Sequence, residues 1–295
     1  MIDVRDVTMT YPSGKGIFDV TFQVGEGQVL GYLGPNGAGK TTTIRCLLGF
    51  TKPNLGSCTI GGLDCVARAP QIQKTLGYIP GEIAFLDGMT GTDFLKFMAQ
   101  MRGMKDLSGQ KELLERFELD PRKEIKKFSK GMKQKLGIVT AFMHDPSVLI
   151  LDEPTSGLDP LMQNRFIELV VEQKKAGKTI LMSSHMFEEI ERTCDEVIII
   201  KDGRLVEKND VGALKGSQRK AYIVKLRRPE DVAALVSQNF AVDQVYGNTA
   251  EINVKGEEVG RLMKALSALD IEALDTKAQT LEEVFLNYYA AEGSQ

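Results

Sequence analysis

Continuous apolar runs of strand length recur along the first two thirds of the chain. Residues 148–151, 179–182 and 197–200 form three such runs, and a fourth at 28–33 leads into a glycine-rich loop. Stretches with helical spacing of apolar residues lie between them. Strands that are apolar on both faces are typical of parallel sheets. The pattern therefore predicts an α/β core whose mostly parallel sheet is covered by helices.

Two other patterns accompany this core. Up to residue 24, apolar and polar β-forming residues alternate on both sides of the turn 12–16, which predicts a small antiparallel β subdomain. Between residues 93 and 135 the spacing becomes helical, with a break at Pro121. We therefore expect a helical subdomain inserted at about residues 83–145.

The character of the sequence changes near residue 215. The polar stretch 215–220 is typical of a linker. Beyond it we predict strands at 221–226 and 250–254 and helices at 230–237, 260–269 and 281–289. The prediction is two domains, 1–215 and 217–295, of which the second is a small α+β domain.

Composition narrows the class of protein. The chain has 295 residues, 42% of them hydrophobic and 26% charged, which is the range of folded globular proteins. A net charge of −3 gives no electrostatic reason to expect nucleic acid as a partner. Its four cysteines are scattered, as expected for reduced thiols in the cytoplasm. No apolar run is long enough to span a bilayer, so a role at a membrane would require docking on one.

The glycine-rich loop matches the phosphate-binding pattern G-x-x-x-x-G-K-[ST]. In this pattern backbone N–H groups and the start of the next helix surround phosphate oxygens. Lys40 would reach the β and γ phosphates of ATP, and the Thr41 hydroxyl would bind Mg²⁺. A glycine-rich turn without function is the alternative. The candidate ATP-binding residues of the loop are Gly34, Pro35, Asn36, Gly37, Ala38, Gly39, Lys40, Thr41 and Thr42.

Two acids end the apolar run at 148–151. Asp152 and Glu153 carry charges that need a cation or hydrogen-bond donors at the end of a buried strand. We expect Asp152 to hold Mg²⁺ and Glu153 to orient or deprotonate the attacking water. Acids at an ordinary turn are the alternative.

Further motifs appear in a fixed order along the chain. The segment 128–136 reads Phe-Ser-Lys-Gly-Met-Lys-Gln-Lys-Leu, and Pro-Thr-Ser-Gly-Leu-Asp-Pro follows the acid pair. Ser-His comes at the end of the next apolar run, at residues 184–185. Residues 1 to about 215 thereby resemble the ATP-binding subunits of ABC transporters. The Tyr-x-Pro-Gly-Glu segment at 78–82 and the small C-terminal domain resemble exporters of the ABC-2 kind.

The resemblance implies roles for individual residues. Ser129 and Gly131 match the signature motif, which faces the ATP bound by a second subunit. Asp159 matches the loop that crosses the dimer interface. His185 matches the switch histidine at the γ-phosphate, and Tyr11 matches the aromatic that stacks on adenine. The other histidine, His144, is expected to be structural.

One position departs from the family pattern. A glutamine that links the magnesium site to the helical subdomain usually follows Tyr-x-Pro, but here the residue is Gly81. Glu82 is a candidate substitute.

The resemblance implies an ATPase that powers transport through closure and opening of a head-to-tail dimer, and export is the expected direction. The second subunit is a copy of this chain or a close paralogue. A transmembrane permease would hold it at the cytoplasmic face of the membrane, by a surface near residues 83–86 unless these form subdomain core. A soluble ABC ATPase and a regulatory module that binds ATP without hydrolysing it are the alternatives.

Overall fold

A computed structural model describes residues 1–86, 88–217, 220–238, 240–254 and 258–278. These residues form two compact units, the first spanning Met1–Val211 and the second starting at Gly212. The strands of the first unit are β1 (Ile2–Thr10), β2 (Gly16–Val24), β3 (Val29–Leu33), β4 (Leu55–Ile60), β5 (Leu63–Asp64), β6 (Leu76–Ile79), β7 (Val148–Asp152), β8 (Thr179–Ser184), β9 (Glu196–Lys201) and β10 (Arg204–Asp210).

The helices of the first unit alternate with these strands. They are α1 (Lys40–Leu47), α2 (Ala69–Thr75), α3 (Gly91–Met101), α4 (Ser108–Arg116), a 3₁₀ turn (Ile125–Lys127), α5 (Lys130–Phe142), α6 (Pro160–Lys175) and α7 (Phe187–Thr193). Helix α8 (Val211–Ser217) begins at the boundary of the units. The predicted linker from residue 215 therefore starts inside a helix.

The central sheet has the strand order β10-β9-β3-β8-β7-β6. Its neighbouring strands are parallel except for the edge pair β10 and β9. Every residue of β3, β7 and β8 is buried, as the unbroken apolar runs predicted. The α/β class with a mostly parallel core is confirmed. Because the strands are parallel, the residues after β3, β7 and β8 meet at one edge of the sheet.

A second sheet of the first unit is antiparallel and has the order β2-β1-β4-β5. Apolar residues of β1, β2 and β4 share one core cluster with α1 and with β3, β7 and β8. Helices α3, α4 and α5 occupy residues 91–142, the region where the helical subdomain was expected.

The second unit has its own sheet and core. Its elements are β11 (Lys220–Leu226), α9 (Pro229–Val236), β12 (Ala241–Tyr246), β13 (Thr249–Val254), α10 (Val259–Leu266) and β14 (Ile271–Ala278). The strand order is β12-β13-β11-β14 and every pair is antiparallel. A β-α-β-β-α-β chain with this order is a ferredoxin-like fold.

The sequence prediction for the second unit was incomplete. It included β11, α9, β13 and α10 but not β12 and β14. The predicted helix at 281–289 lies outside the described residues.

Candidate functional site

The phosphate loop joins β3 to α1 and contains two glycines in the left-handed region. Gly37 has φ 82° and Gly39, which precedes α1, has φ 114°. A side chain at Gly39 would also be 2.7 Å from Ile17. The chain can turn here only because these residues are glycines. The loop thereby aims the first N–H groups of α1 at a cavity of about 150 Å³.

That cavity is lined by seven of the predicted loop residues and by Glu153. They are Pro35, Asn36, Gly37, Gly39, Lys40, Thr41, Thr42 and Glu153. Gly34 and Ala38 belong to the same loop but pack against β9 and the turn after it. Gly203 N donates to Ala38 O at 2.9 Å, and the backbone of Gly34 lies so close to Ile200 that a Cβ would not fit. The structure thus brings the phosphate loop and one of the two predicted acids together.

Lys40 is held by oxygen atoms on two sides. Its Nζ donates to Gly34 O at 2.5 Å and to Pro35 O at 3.4 Å. The same Nζ lies 3.1 Å from Glu153 Oε1, an ion pair without the alignment of a good hydrogen bond. The Lys40 side chain is only 6% exposed. A buried ammonium group is therefore fixed at the place where phosphates would enter.

Asp152 is fully buried and its two carboxylate oxygens have different partners. Thr41 Oγ1 donates to Oδ2 at 2.8 Å, and Ser183 Oγ donates to Oδ1 at 2.5 Å. No lysine or arginine in the described part of the chain forms an ion pair with Asp152. A buried carboxylate needs a compensating cation or donors. Its oxygen atoms beside a hydroxyl are the hard ligands that Mg²⁺ prefers, so these residues fit that ion.

Glu153 connects the phosphate loop to the predicted switch histidine. Its backbone has φ 48°, and its N–H donates to Ser183 Oγ at 3.0 Å. Its Oε2 lies 2.6 Å from His185 Nδ1, while its other oxygen faces Lys40. The His185 side chain is 55% exposed. One carboxylate thus lies between a lysine and a histidine at the carboxyl edge of the sheet.

The signature residues lie at the start of α5. Ser129 caps the helix because its hydroxyl accepts from Met132 N at 3.2 Å. A Cβ at Gly131 would be 2.8 Å from Gly157 O, so the helix start contacts the loop after Glu153. Asp159 caps α6 by accepting from Met162 N at 3.0 Å. None of these three residues lines the cavity at the phosphate loop.

Three other positions that the sequence singled out do not line this cavity. Tyr11 is half-buried against the core cluster and its backbone bonds to Gly14 and Lys15 in the β1–β2 turn, outside the cavity lining. Gly81 faces Asp152, because a Cβ there would be 3.2 Å from Asp152 Oδ2. Glu82 is exposed.

Sequence reasoning missed Ser183, Gln134 and Glu189. Ser183 bonds Asp152, and Gln134 Nε2 donates to Pro154 O at 2.6 Å. Two serines ending the otherwise apolar run at 179–184 were a signal for the first of these, because carboxyl ends of parallel strands carry sites. No local pattern singled out the other two.

The geometry has the form of a P-loop nucleotide-binding site on a parallel sheet, with a carboxylate lining the same cavity. The family model described as ABC transporter matches residues 17–156. The bacitracin transport ATP-binding protein BcrA of Bacillus licheniformis is 34% identical, over 97% of this chain and 96% of its own length. The chain belongs to the ATP-binding proteins of ABC transporters, and it is an ATPase of that class.

Two further comparisons agree with this family assignment. The linearmycin resistance ATP-binding protein LnrL of Bacillus subtilis is 34% identical, over 70% of this chain and 68% of its own length. A solved structure of the ATP-binding subunit of an ABC transporter is also 34% identical. It superposes with a TM-score of 0.67 and covers 73% of this chain and 92% of its own.

Proposed function

We propose that this chain hydrolyses ATP to drive an exporter, working as one of two subunits that share their ATP sites head to tail. The main support is a continuous series of side-chain contacts, Lys40–Glu153–His185. A second series, Thr41–Asp152–Ser183, lies beside it. It joins the loop that would hold the phosphates to the ends of β7 and β8. These are the groups that phosphoryl transfer to water requires.

Each residue of this series has a separate task. Lys40 balances phosphate charge, and the N–H groups of the loop position the phosphate oxygens. Thr41 and Asp152 are the residues that would hold Mg²⁺, which supplies positive charge to the phosphate oxygens when bound. Glu153 accepts a hydrogen bond or a proton from the attacking water, and His185 holds the Glu153 carboxylate from its exposed side.

The dimer is supported by where the signature residues lie. Ser129, Gly131 and Asp159 do not line the cavity of their own subunit. The N-terminus of α5 nevertheless has the capped, glycine-containing form that suits an anion. A second copy or a close paralogue, turned head to tail, would present this helix start to the γ-phosphate and complete the site.

An apolar groove supports coupling to a membrane permease. It has a volume of about 760 Å³ and is lined by residues of α2, α3 and β6, the last through Leu76 and Tyr78. Phe50 and Met101 on its border are 60% and 71% exposed. By contrast, Ile83 packs on Gly137 and Phe85 packs edge-on against Phe94, so these two residues of the expected surface contribute to subdomain packing. We propose that the groove receives a short amphipathic helix of the permease.

The proposals for a membrane partner and for the direction of transport are based on the relatives of this chain. Among the described residues no helix combines the length and apolar character needed to cross a bilayer. The relatives named for bacitracin transport and linearmycin resistance favour an exporter of the ABC-2 kind, attached to the membrane through its permease.

Replacing the carboxylate tests hydrolysis. Glu153→Gln should reduce phosphate release at least ~100-fold while ATP still binds, because the amide fills the same space but cannot take a proton. The matched control is Glu168→Gln, at a side chain that is 64% exposed on α6. Phosphate release by Glu153→Gln at the unsubstituted rate would exclude the proposed role.

The groove has its own test. Met101→Glu should abolish co-purification with the permease, since a charge would replace an apolar contact. Leu55→Glu is the control, as Leu55 is 66% exposed on the other sheet. Equal recovery of the permease with both variants would show that the helix docks elsewhere.

A further inference from the structure

Glu189 is a buried acid of α7 that does not line the cavity at the phosphate loop. It is 4% exposed, and both of its carboxylate oxygens accept hydrogen bonds from hydroxyl groups. Ser184 Oγ donates to Oε2 at 2.7 Å, and Thr155 Oγ1 donates to Oε1. Ser184 Oγ already accepts from Met186 N at 2.9 Å, so its proton is free to point at the carboxylate.

The two hydroxyls belong to the two segments that carry the catalytic groups. Thr155 lies two residues after Glu153, and Ser184 immediately precedes His185. Glu189 therefore joins the start of the loop toward Asp159 to the carboxyl end of β8. Gln134 of α5 holds the same loop from another side through Pro154 O, at 2.6 Å.

Burying a carboxyl group costs free energy, which makes this bridge an expensive contact if its role is only structural. Burial raises the pKa of Glu189, and the charge of Glu153 acts in the same direction, while the Thr155 and Ser184 hydroxyls oppose the rise. Both oxygens accept from hydroxyl groups, and these hydrogen bonds favour the charged form of the carboxylate against the cost of burial. Well-packed apolar residues commonly replace such buried charges without loss of stability. The bridge instead fixes the direction of two hydroxyl groups, which packing alone would not do.

We propose that Glu189 is a positioning residue for ATP hydrolysis, whose carboxylate holds Thr155 and Ser184 so that Glu153 and His185 keep one relative geometry. The inference rests on the roles proposed for Glu153 and His185. The 2.6 Å contact between His185 Nδ1 and Glu153 Oε2 is the geometry that the bridge maintains. Because Thr155 starts the loop toward Asp159, movements of that loop would reach His185 through the same carboxylate.

The first test is Glu189→Gln, which keeps the shape of the side chain and removes one acceptor oxygen. We expect kcat for ATP to fall about tenfold or more, the effect of losing one hydrogen bond to a charged group. KM for ATP should change less than about threefold, since the phosphate loop is untouched. Glu188→Gln is the matched control, because Glu188 is the neighbouring acid of α7 and its side chain is 72% exposed.

The second test uses the two hydroxyls and does not depend on how Glu189→Gln folds. Thr155→Val and Ser184→Ala should each lower kcat, and the double variant should be no slower than the slower single one. This non-additivity is expected because either change already breaks the same bridge. The thermal unfolding temperature of each variant, measured alongside, separates loss of folding from loss of rate.

Two outcomes would overturn the inference. One is a folded Glu189→Gln variant with unchanged kcat, and the other is a double variant whose loss is the product of the two single losses. Failure of the proposed catalytic role itself shows differently, as an active Glu153→Gln variant. If Glu153→Gln is inactive and Glu189→Gln keeps its kcat, only the positioning role is wrong.

Discussion

The hydroxyl of Ser183 contacts both of the acids that we propose to act in ATP hydrolysis. Its Oγ donates to Asp152 Oδ1 at 2.5 Å and accepts from Glu153 N at 3.0 Å. It therefore orients the residue that would hold Mg²⁺ and the backbone of the residue that would act on water. A hydroxyl with this double role belongs to the catalytic arrangement although it touches neither the phosphate loop nor the nucleotide cavity.

Ser183→Ala should lower kcat for ATP by about 10- to 100-fold, because a buried carboxylate loses a donor and Glu153 N–H loses an acceptor. The apparent affinity for Mg²⁺ should fall as well, since Asp152 is less firmly oriented. A Mg²⁺ titration of steady-state phosphate release measures both effects. Ser147→Ala is the control, because Ser147 is exposed at the opposite end of β7. Equal loss in both variants would contradict the role of Ser183.

His144 gives a residue-scale prediction on pH. Burial lowers its pKa to about 4, and the nearby Arg102 charge acts in the same direction. In the unfolded chain the group titrates near pH 6.5, so the unfolded state binds more protons between about pH 6.5 and 4. Stability contributed by neutral His144 is therefore present above pH 6.5 and is lost as the pH falls toward 4.

The variant His144→Gln keeps a donor for Leu76 O, which the ring meets at 3.2 Å, but does not titrate. The free energy of unfolding in urea should fall less steeply for this variant between pH 6.5 and 4 than for the unsubstituted protein. Parallel curves would show that His144 charges equally in both states.

At the scale of single residues, the sequence predicted the groups that carry charge better than the groups that orient them. Lys40, Thr41, Asp152 and Glu153 belong to motifs whose chemistry requires those residue types, and the structure places them together. Glu189 acts on Thr155, 34 positions away, and a contact over such a distance leaves no local pattern. Tyr11 is partly buried against the core cluster, and its assignment to adenine stacking stays a prediction.

At the scale of elements, α5 approaches the loop after Glu153 more closely than a side chain would permit. Gly131→Ala would place a Cβ 2.8 Å from Gly157 O, which is a backbone atom and cannot move aside as the end of a flexible side chain could. Alanine favours the helix itself, so α5 should not weaken. We expect ATPase activity to fall about tenfold or more because the helix start and the loop are pushed apart.

The control for this prediction is Gly109→Ala in α4, where the new Cβ would make an ordinary contact of 3.5 Å with Met143 O. That change should leave activity unaltered and stabilise the protein by about 0.5–1 kcal/mol in urea unfolding. Full activity of Gly131→Ala would mean that the contact between α5 and the loop is not needed for hydrolysis.

Element types followed from the sequence wherever burial imposed a period. Strands β3, β7 and β8 are buried on both faces and are continuous apolar runs, so they were predicted. Strand β12 has no fully buried residue, and nearly all of its side chains are exposed. It is a strand because β13 pairs with it, and pairing of an edge strand leaves little trace in hydrophobic pattern.

At the scale of the whole molecule, each unit carries its own hydrophobic core. One core cluster includes residues from Ile2 to Ile200 and another includes residues from Tyr222 to Leu266. All residues proposed to bind ATP lie in the first unit. We propose that the ferredoxin-like unit stabilises the dimer and takes no part in binding a single ATP molecule.

A chain shortened after Ser217 should therefore bind ATP with a Kd within about threefold of the full chain, a change of about 0.7 kcal/mol. Its ATP-dependent dimer should be weaker and should dissociate at a higher protein concentration than the full-length dimer. Both dimers are measured with Glu153→Gln present to prevent turnover. Equal dimer stability would exclude the stabilising role, and loss of ATP binding would show that the first unit does not fold alone.

The ion pair between Lys40 and Glu153 makes nucleotide binding an exchange of partners. An incoming β-phosphate must compete with a carboxylate of the protein for one ammonium group, 3.1 Å away. Lys40 therefore stays paired with Glu153 until a phosphate of higher charge replaces the carboxylate. The same exchange leaves the Glu153 carboxylate able to bind the attacking water. Glu153→Gln should then bind ADP about two- to fivefold more tightly, as expected when a weak competing ion pair is removed. Calorimetric titration with ADP measures this without hydrolysis, and unchanged or weaker binding would show that Lys40 is not withheld.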